Sequence, residues 1–196
     1  MSTALFHRET PVEYFRALVE AALQHQQVRT GELTSYYLVN LLCSYIRFAD
    51  GSPASLDDEP LALRLARALE TGGVEQRARL RSLADDSLFV SGFFSDSLRR
   101  KVVDVDYYVS MGEYAYGSLS RWEADTFAGT FGELAERFTR FMEVLGEVSE
   151  RSGMTSNNDL LRLYERWLRT GSRRSGQKLA ERGIVPNASI GQRFLQ

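Results

Sequence analysis

Residues 124–151 read ADTFAGTFGELAERFTRFMEVLGEVSER, and within them Phe127, Phe131, Leu134, Phe138, Phe141, Leu145 and Val148 follow one another in steps of 4, 3, 4, 3, 4 and 3. Such spacing is the seam of an α-helix. Ala128, Ala135 and Met142 widen it, and the Glu133–Arg137 and Glu136–Arg140 pairs suit a solvated opposite side. Read as one helix, the stretch is roughly 40 Å long at 1.5 Å per residue. Four phenylalanines are bulky for a two-stranded coil, so the seam is expected to lie across a bundle.

The same periodicity runs outward in both directions. Thr10, Pro11 and Glu13 carry the signature of a helix start: a capping hydroxyl, proline at the first helical position and a glutamate that reaches back. The first helix is read from Pro11 to Val28, with Gly31 closing it. A second, about Glu32 to Ala49, is apolar around most of its circumference and is expected at the bundle centre. Pro60 opens a third, with Leu61, Leu65, Ala68 and Leu69 on one side, which stops at Gly72 and Gly73. A fourth begins near Val74 and gives way around Gly92 to Phe93 and Phe94. The fifth spans about Val103 to Leu119, with Gly112 at the centre of its apolar face, where a neighbouring helix would come close.

Beyond the seam, Ser156 and Asn157 cap a seventh helix that ends at Gly171. A short eighth runs from about Arg173 to Gly183. No segment alternates apolar and polar residues between hairpin turns, so no strand is assigned. The expected fold is all-α: a single-domain bundle of seven to eight helices over residues 1–183 with one long central helix, followed by an arm or tail over 184–196.

Composition narrows the chemistry. Among 196 residues there are two histidines, one cysteine and 24 basic side chains of which only Lys101 and Lys178 are lysines. Disulfide frameworks and multi-histidine or multi-cysteine metal sites are excluded, and no metal or cofactor is assigned. Cys43 sits in the apolar second helix and reads as a small buried hydrophobe. His25 falls at the flank of the first helix rather than in its core. The first fifteen residues contain His7, Arg8, Glu9 and Glu13 and no apolar run, and Tyr36 to Phe48 is interrupted by Asn40, Ser44 and Arg47; a cytoplasmic, non-membrane protein is expected.

The motifs of familiar catalysts fail on inspection. Gly171 to Lys178, GSRRSGQK, resembles a phosphate loop only until Gln177 separates glycine from lysine, and no Ser or Thr follows. Ala4 and Ala22 stand where a di-iron bundle needs glutamates before its histidines. The acid groups Asp57-Asp58-Glu59, Asp85-Asp86 and Asp104-Val105-Asp106 are common spacings, and neighbouring positions on a helix point in different directions. No catalytic set is assigned.

Two features stand out. Tyr36, Asn40, Ser44 and Arg47 form a thin polar sector on the second helix; if it faces inward, Tyr36, Asn40 and Arg47 with Asp104 and Tyr108 would line a small-molecule pocket between the second and fifth helices, Arg47 anchoring an anion. On the seventh helix Arg162, Arg166, Arg169 and Arg173 make a basic stripe opposite Leu160, Leu161, Tyr164, Trp167 and Leu168. The stretch Leu160 to Arg182 carries seven basic and two acidic residues, within a chain of net charge −2. Arginine forks suit carboxylates, and phosphates equally.

The leading reading is a non-enzymatic interaction or regulatory module, engaging a protein partner or a second copy through that stripe or through the aromatic segment Phe89 to Tyr116. The alternatives are a ligand-binding helical protein or enzyme using the pocket, and weak nucleic-acid binding through the stripe. An isoelectric point near 5.8 disfavours the last.

Overall fold

The computed structural model describes residues 10–45, 59–94, 104–122, 126–152 and 176–177. The described residues form seven helices and no strand: α1 (Pro11–His25), α2 (Glu32–Tyr45), α3 (Leu61–Glu70), α4 (Gly73–Phe93), α5 (Val105–Leu119), α6 (Ala128–Glu136) and α7 (Phe138–Ser152). The all-α fold is as expected. The expected seventh helix, the 184–196 arm and all of the expected eighth helix but residues 176–177, which are helical, lie outside the described residues. No helix among the described residues is long and apolar enough to cross a membrane.

The start of α1 is the expected capping box. The Glu13 backbone N–H donates to Thr10 Oγ1 at 3.3 Å, and the Thr10 N–H donates to Glu13 Oε2 at 2.8 Å. Its end comes earlier than the expected Val28, at His25, through a six-residue turn. Val28 N–H donates to the Leu23 carbonyl at 2.9 Å and Gln27 N–H to that of Gln24 at 3.1 Å. This pairing needs a left-handed residue, and Gln27, not Gly31, supplies it with φ 56°.

The long seam helix is a correction. It breaks at Arg137, whose backbone sits at φ −122°, ψ 27°, and continues as α7. Neither proline nor glycine causes the break. The seam has two sets of partners, α5 and α2 in its first half and α4 and α1 in its second, and one straight helix cannot face both. Phe131, Leu134, Phe138, Phe141, Leu145 and Val148 are all buried, so the seam survives the bend. Arg137 secures the corner: its Nη1 donates to the Arg29 carbonyl at 2.6 Å and to Glu133 Oε1 at 2.9 Å, and its guanidinium lies 5.4 Å from the Phe141 ring centre.

The centre of the bundle is α4, not α2. It packs against α5, α7 and α3, and its second half is buried on nearly every side, at Leu83, Ala84, Asp86, Ser87, Leu88, Phe89, Ser91, Gly92 and Phe93. It ends at Phe93, beside the expected Gly92, and Gly92 is also where α7 crosses. A Cβ there would lie 2.8 Å from Leu145 Cβ and 3.0 Å from the Met142 carbonyl oxygen. Gly112 of α5 is the close approach its position suggested, since a Cβ would fall 2.2 Å from the Phe138 ring. Ser87 and Ser91 turn their hydroxyls back onto the Leu83 and Ser87 carbonyls of their own helix, at 2.7 and 2.6 Å, and so satisfy their own donors inside the core. On α3 the buried residues are Leu61, Arg64 and Ala68, while Leu69, expected inside, is half exposed.

Candidate functional site

The polar groups inside the bundle gather on α4. Asp85 and Asp86 are adjacent and, as helical geometry requires, turn to different flanks. Asp85 Oδ1 accepts hydrogen bonds from Tyr37 Oη of α2 at 2.6 Å and Tyr116 Oη of α5 at 2.7 Å. Asp85 Oδ2 faces Arg81 Nε at 3.8 Å, one helical turn away. Asp86 accepts from the Tyr45 hydroxyl of α2, and its Oδ2 pairs with Arg64 Nη1 of α3 at 2.5 Å. The other Arg64 nitrogen donates to Ser82 Oγ at 3.0 Å. One pair of neighbouring carboxyls thus joins four helices.

Burial sets the protonation of these groups. It pushes Asp85 up to about 6, against hydrogen bonds from Tyr37 and Tyr116 and the charge of Arg81. It raises Asp86 too, against the Arg64 guanidinium and the Tyr45 hydroxyl. The same burial, reinforced by the neighbouring carboxyls, raises Tyr37, Tyr45 and Tyr116, which therefore remain hydroxyl donors. The two sites differ in access: the Asp86 side chain is 2% exposed and that of Asp85 19%. Around Asp85 lies an aromatic floor. The Arg81 guanidinium carbon is 5.1 Å from the ring centre of Tyr37, 5.7 Å from Phe127 and 5.9 Å from Phe131.

A carboxyl that titrates near neutrality beside two phenols is equipped for proton transfer. Its oxygens, however, are occupied by the chain's own tyrosines and arginine. Among the described residues, no three His, Cys, Asp or Glu side chains are grouped as metal ligands would be.

The residues expected to line a pocket are dispersed. Tyr36 is 57% exposed on the outward side of α2. The Asn40 amide donates to the Tyr36 carbonyl of its own helix at 2.8 Å, and Ser44 Oγ to that of Leu41 at 2.7 Å. Asp104 caps α5, accepting from the Asp106 N–H at 3.4 Å, and Tyr108 is half-buried edge-on to Tyr107. The α2 side chain that meets α5 is Tyr37, one position over, its ring 6.4 Å from that of Tyr116. Arg47 and the stripe Arg162, Arg166, Arg169 and Arg173 lie outside the described residues. Within the aromatic segment Phe89 to Tyr116, Phe89, Phe93, Phe94 and Tyr116 are buried in the core, Tyr107 and Tyr108 are half-buried and Tyr114 is exposed, while residues 95–103 lie outside the described residues.

Cys43 is half-buried, its thiol raised by burial, and His25 is exposed with Nδ1 3.1 Å from Glu147 Oε2. Arg64 was not anticipated, although its position three residues from Leu61 places it on the buried side of α3. The signal for Asp86 was its place three residues after Leu83 on a buried face. Nothing in the sequence marked Tyr37 and Tyr45 as the donors to Asp85 and Asp86 beyond their spacing of eight, which stacks them on one side of α2. No protein-family model, curated protein or solved structure matches this chain.

Proposed function

We propose that the protein is a non-enzymatic interaction module that associates with a second copy of itself through the outward strip of α3. The observation that carries this reading is the strip itself. Ala62, Leu63, Ala66 and Leu69 are exposed, the two leucines at 55% and 50%, and they fall within roughly a third of the helix circumference, which Glu70 shares at the C-terminal end of the helix. Past the Thr71–Gly72 link, Val74 in the first turn of α4 is 73% exposed. An apolar strip of this kind, with small residues between leucines, suits helix-to-helix contact.

Self-association is favoured by spacing. Leu63 and Leu69 each lie three residues from Ala66, so a twofold axis beside Ala66 seats Leu63 of one copy on Leu69 of the other, and the reverse. The alanines between them allow close approach. Four side chains fall short of the roughly 800 Å² per partner of a tight complex, so the pairing is weak and concentration-dependent. The carboxyls, by contrast, are engaged within the chain, which supports a binding rather than a catalytic role.

Sedimentation velocity over a roughly hundredfold concentration range tests this. The average mass should climb from 22.2 kDa toward twice that value, and the Leu63→Glu/Leu69→Glu variant should stay at 22.2 kDa throughout. A wild-type chain that keeps its monomer mass, or a double variant that associates equally well, rules the reading out.

A further inference from the structure

We propose that Arg81 is a strap across the aromatic floor of Tyr37, Phe127 and Phe131, held down by the charge of Asp85 and released when that carboxyl takes up a proton. Geometry assigns the two carboxyl oxygens different tasks. Oδ1 is filled by the Tyr37 and Tyr116 hydroxyls, so an incoming proton goes to Oδ2, the oxygen that faces Arg81. The neutral carboxyl keeps both tyrosine bonds and loses only its hold on the guanidinium. One hydrogen bond, from Arg81 Nε to Tyr37 Oη at 3.1 Å, and the ring faces then remain. The Arg81 side chain is 49% exposed and can leave without crossing the core.

Under the strap, Tyr37 is 3% and Phe131 0% exposed, while Phe127 is half-buried, so release uncovers ring surface between α2, α4 and α6. The groups that face Asp85 are Tyr37 and Tyr45 from α2, Tyr116 from α5, and Arg81 and Asp86 from its own helix. From α3, Arg64 is taken by Asp86, and α6 contributes its aromatic rings. The α7 helix crosses α4 farther along, at Gly92, and turns Glu147 toward α1. Arg81 is thus the cation opposite Asp85, and the Asp85 proton sets its grip. Burial places the Asp85 transition at about 6.

Nuclear magnetic resonance of the full chain between pH 8 and pH 5 decides the matter. The ring signals of Tyr37, Phe127 and Phe131 should move together with one midpoint near 6, and the Arg81 Nε–H should exchange at least several-fold faster, after correction for intrinsic rates, on the acid side. Asp85→Asn, which mimics the neutral carboxyl, should hold the rings at their acid positions at pH 8 and abolish the midpoint. Should that variant fail to fold, Arg81→Gln should also fix the rings at the acid positions. Ring signals that stay flat in the wild-type chain, or that titrate unchanged in either variant, overturn the proposal.

Discussion

Asp85 and Asp86 differ by one position and by nearly everything else. A helix turns about 100° per residue, so the first meets two phenols and the edge of solvent while the second meets Tyr45 and Arg64 in the interior. That divergence was legible in the sequence as a general rule; the partners were not, because they come from α2, α3 and α5 and only the tertiary fold brings them in. The capping box at Thr10 was legible in full, since all its atoms lie within four residues. The end of α1 was not, because a glutamine took the left-handed position that glycine normally holds. Gln27 is exposed and at φ 56° bears the penalty of a Cβ in that region. Gln27→Gly should therefore stabilise the protein by about 0.5–1 kcal/mol, net of the greater freedom of glycine in the unfolded chain. In a thermal melt the midpoint should rise by a few degrees; an unchanged or lower midpoint would show that the turn carries no strain.

Among the elements, amphipathic faces were read more reliably than boundaries. The seam from Phe127 to Val148 is buried from Phe131 onward as its spacing implied, yet the helix bends because its halves have different neighbours, which spacing within one segment cannot reveal. The two central glycines illustrate the same limit. Gly112, in the middle of an apolar face, was recognisable as a contact; Gly92, followed by two phenylalanines, marked the end of its helix to within a residue but gave no sign of the crossing. Replacing Gly112 with alanine gains helix propensity of about 1 kcal/mol but drives a methyl into the buried Phe138 ring, so a net loss of about 1–3 kcal/mol is expected. Adding Phe138→Leu should return part of that loss by making room. Denaturant titrations of the two single variants and the double variant give the coupling, and strictly additive losses would mean that the two positions do not meet.

For the whole molecule, the buried carboxyls tie stability to pH in an unusual direction. Asp85 is raised in the fold relative to an unfolded carboxyl near 4, so its contribution is fully present below pH 4 and is lost as pH rises through about 6. Asp86 acts in the same sense. Glu147 acts oppositely: burial works against it, but hydrogen bonds from Gln26, His25 and Arg151 hold it below the usual range, and what it contributes is lost only below about pH 4.5. Unfolding free energy should therefore fall by about 4 kcal/mol between pH 5 and pH 8, with about 1.4 kcal/mol of it through Asp85 and the larger part through Asp86, and Asp85→Asn should remove about a third of that slope. Equal stability of the wild-type chain at both pH values would mean that Asp85 is not raised.

The helix that begins the described fold is closed by the one that ends its continuous part: Gln26 reaches Glu147 across 121 residues of sequence, at 2.7 Å. On a ribosome adding about 5–20 residues per second, α1 and α2 emerge together, yet α7 follows only about 6–24 s later. During that interval the α7-facing side of the first hairpin has no mate in the nascent chain. The bundle is thus a structure whose earliest piece waits longest for the helix that covers it.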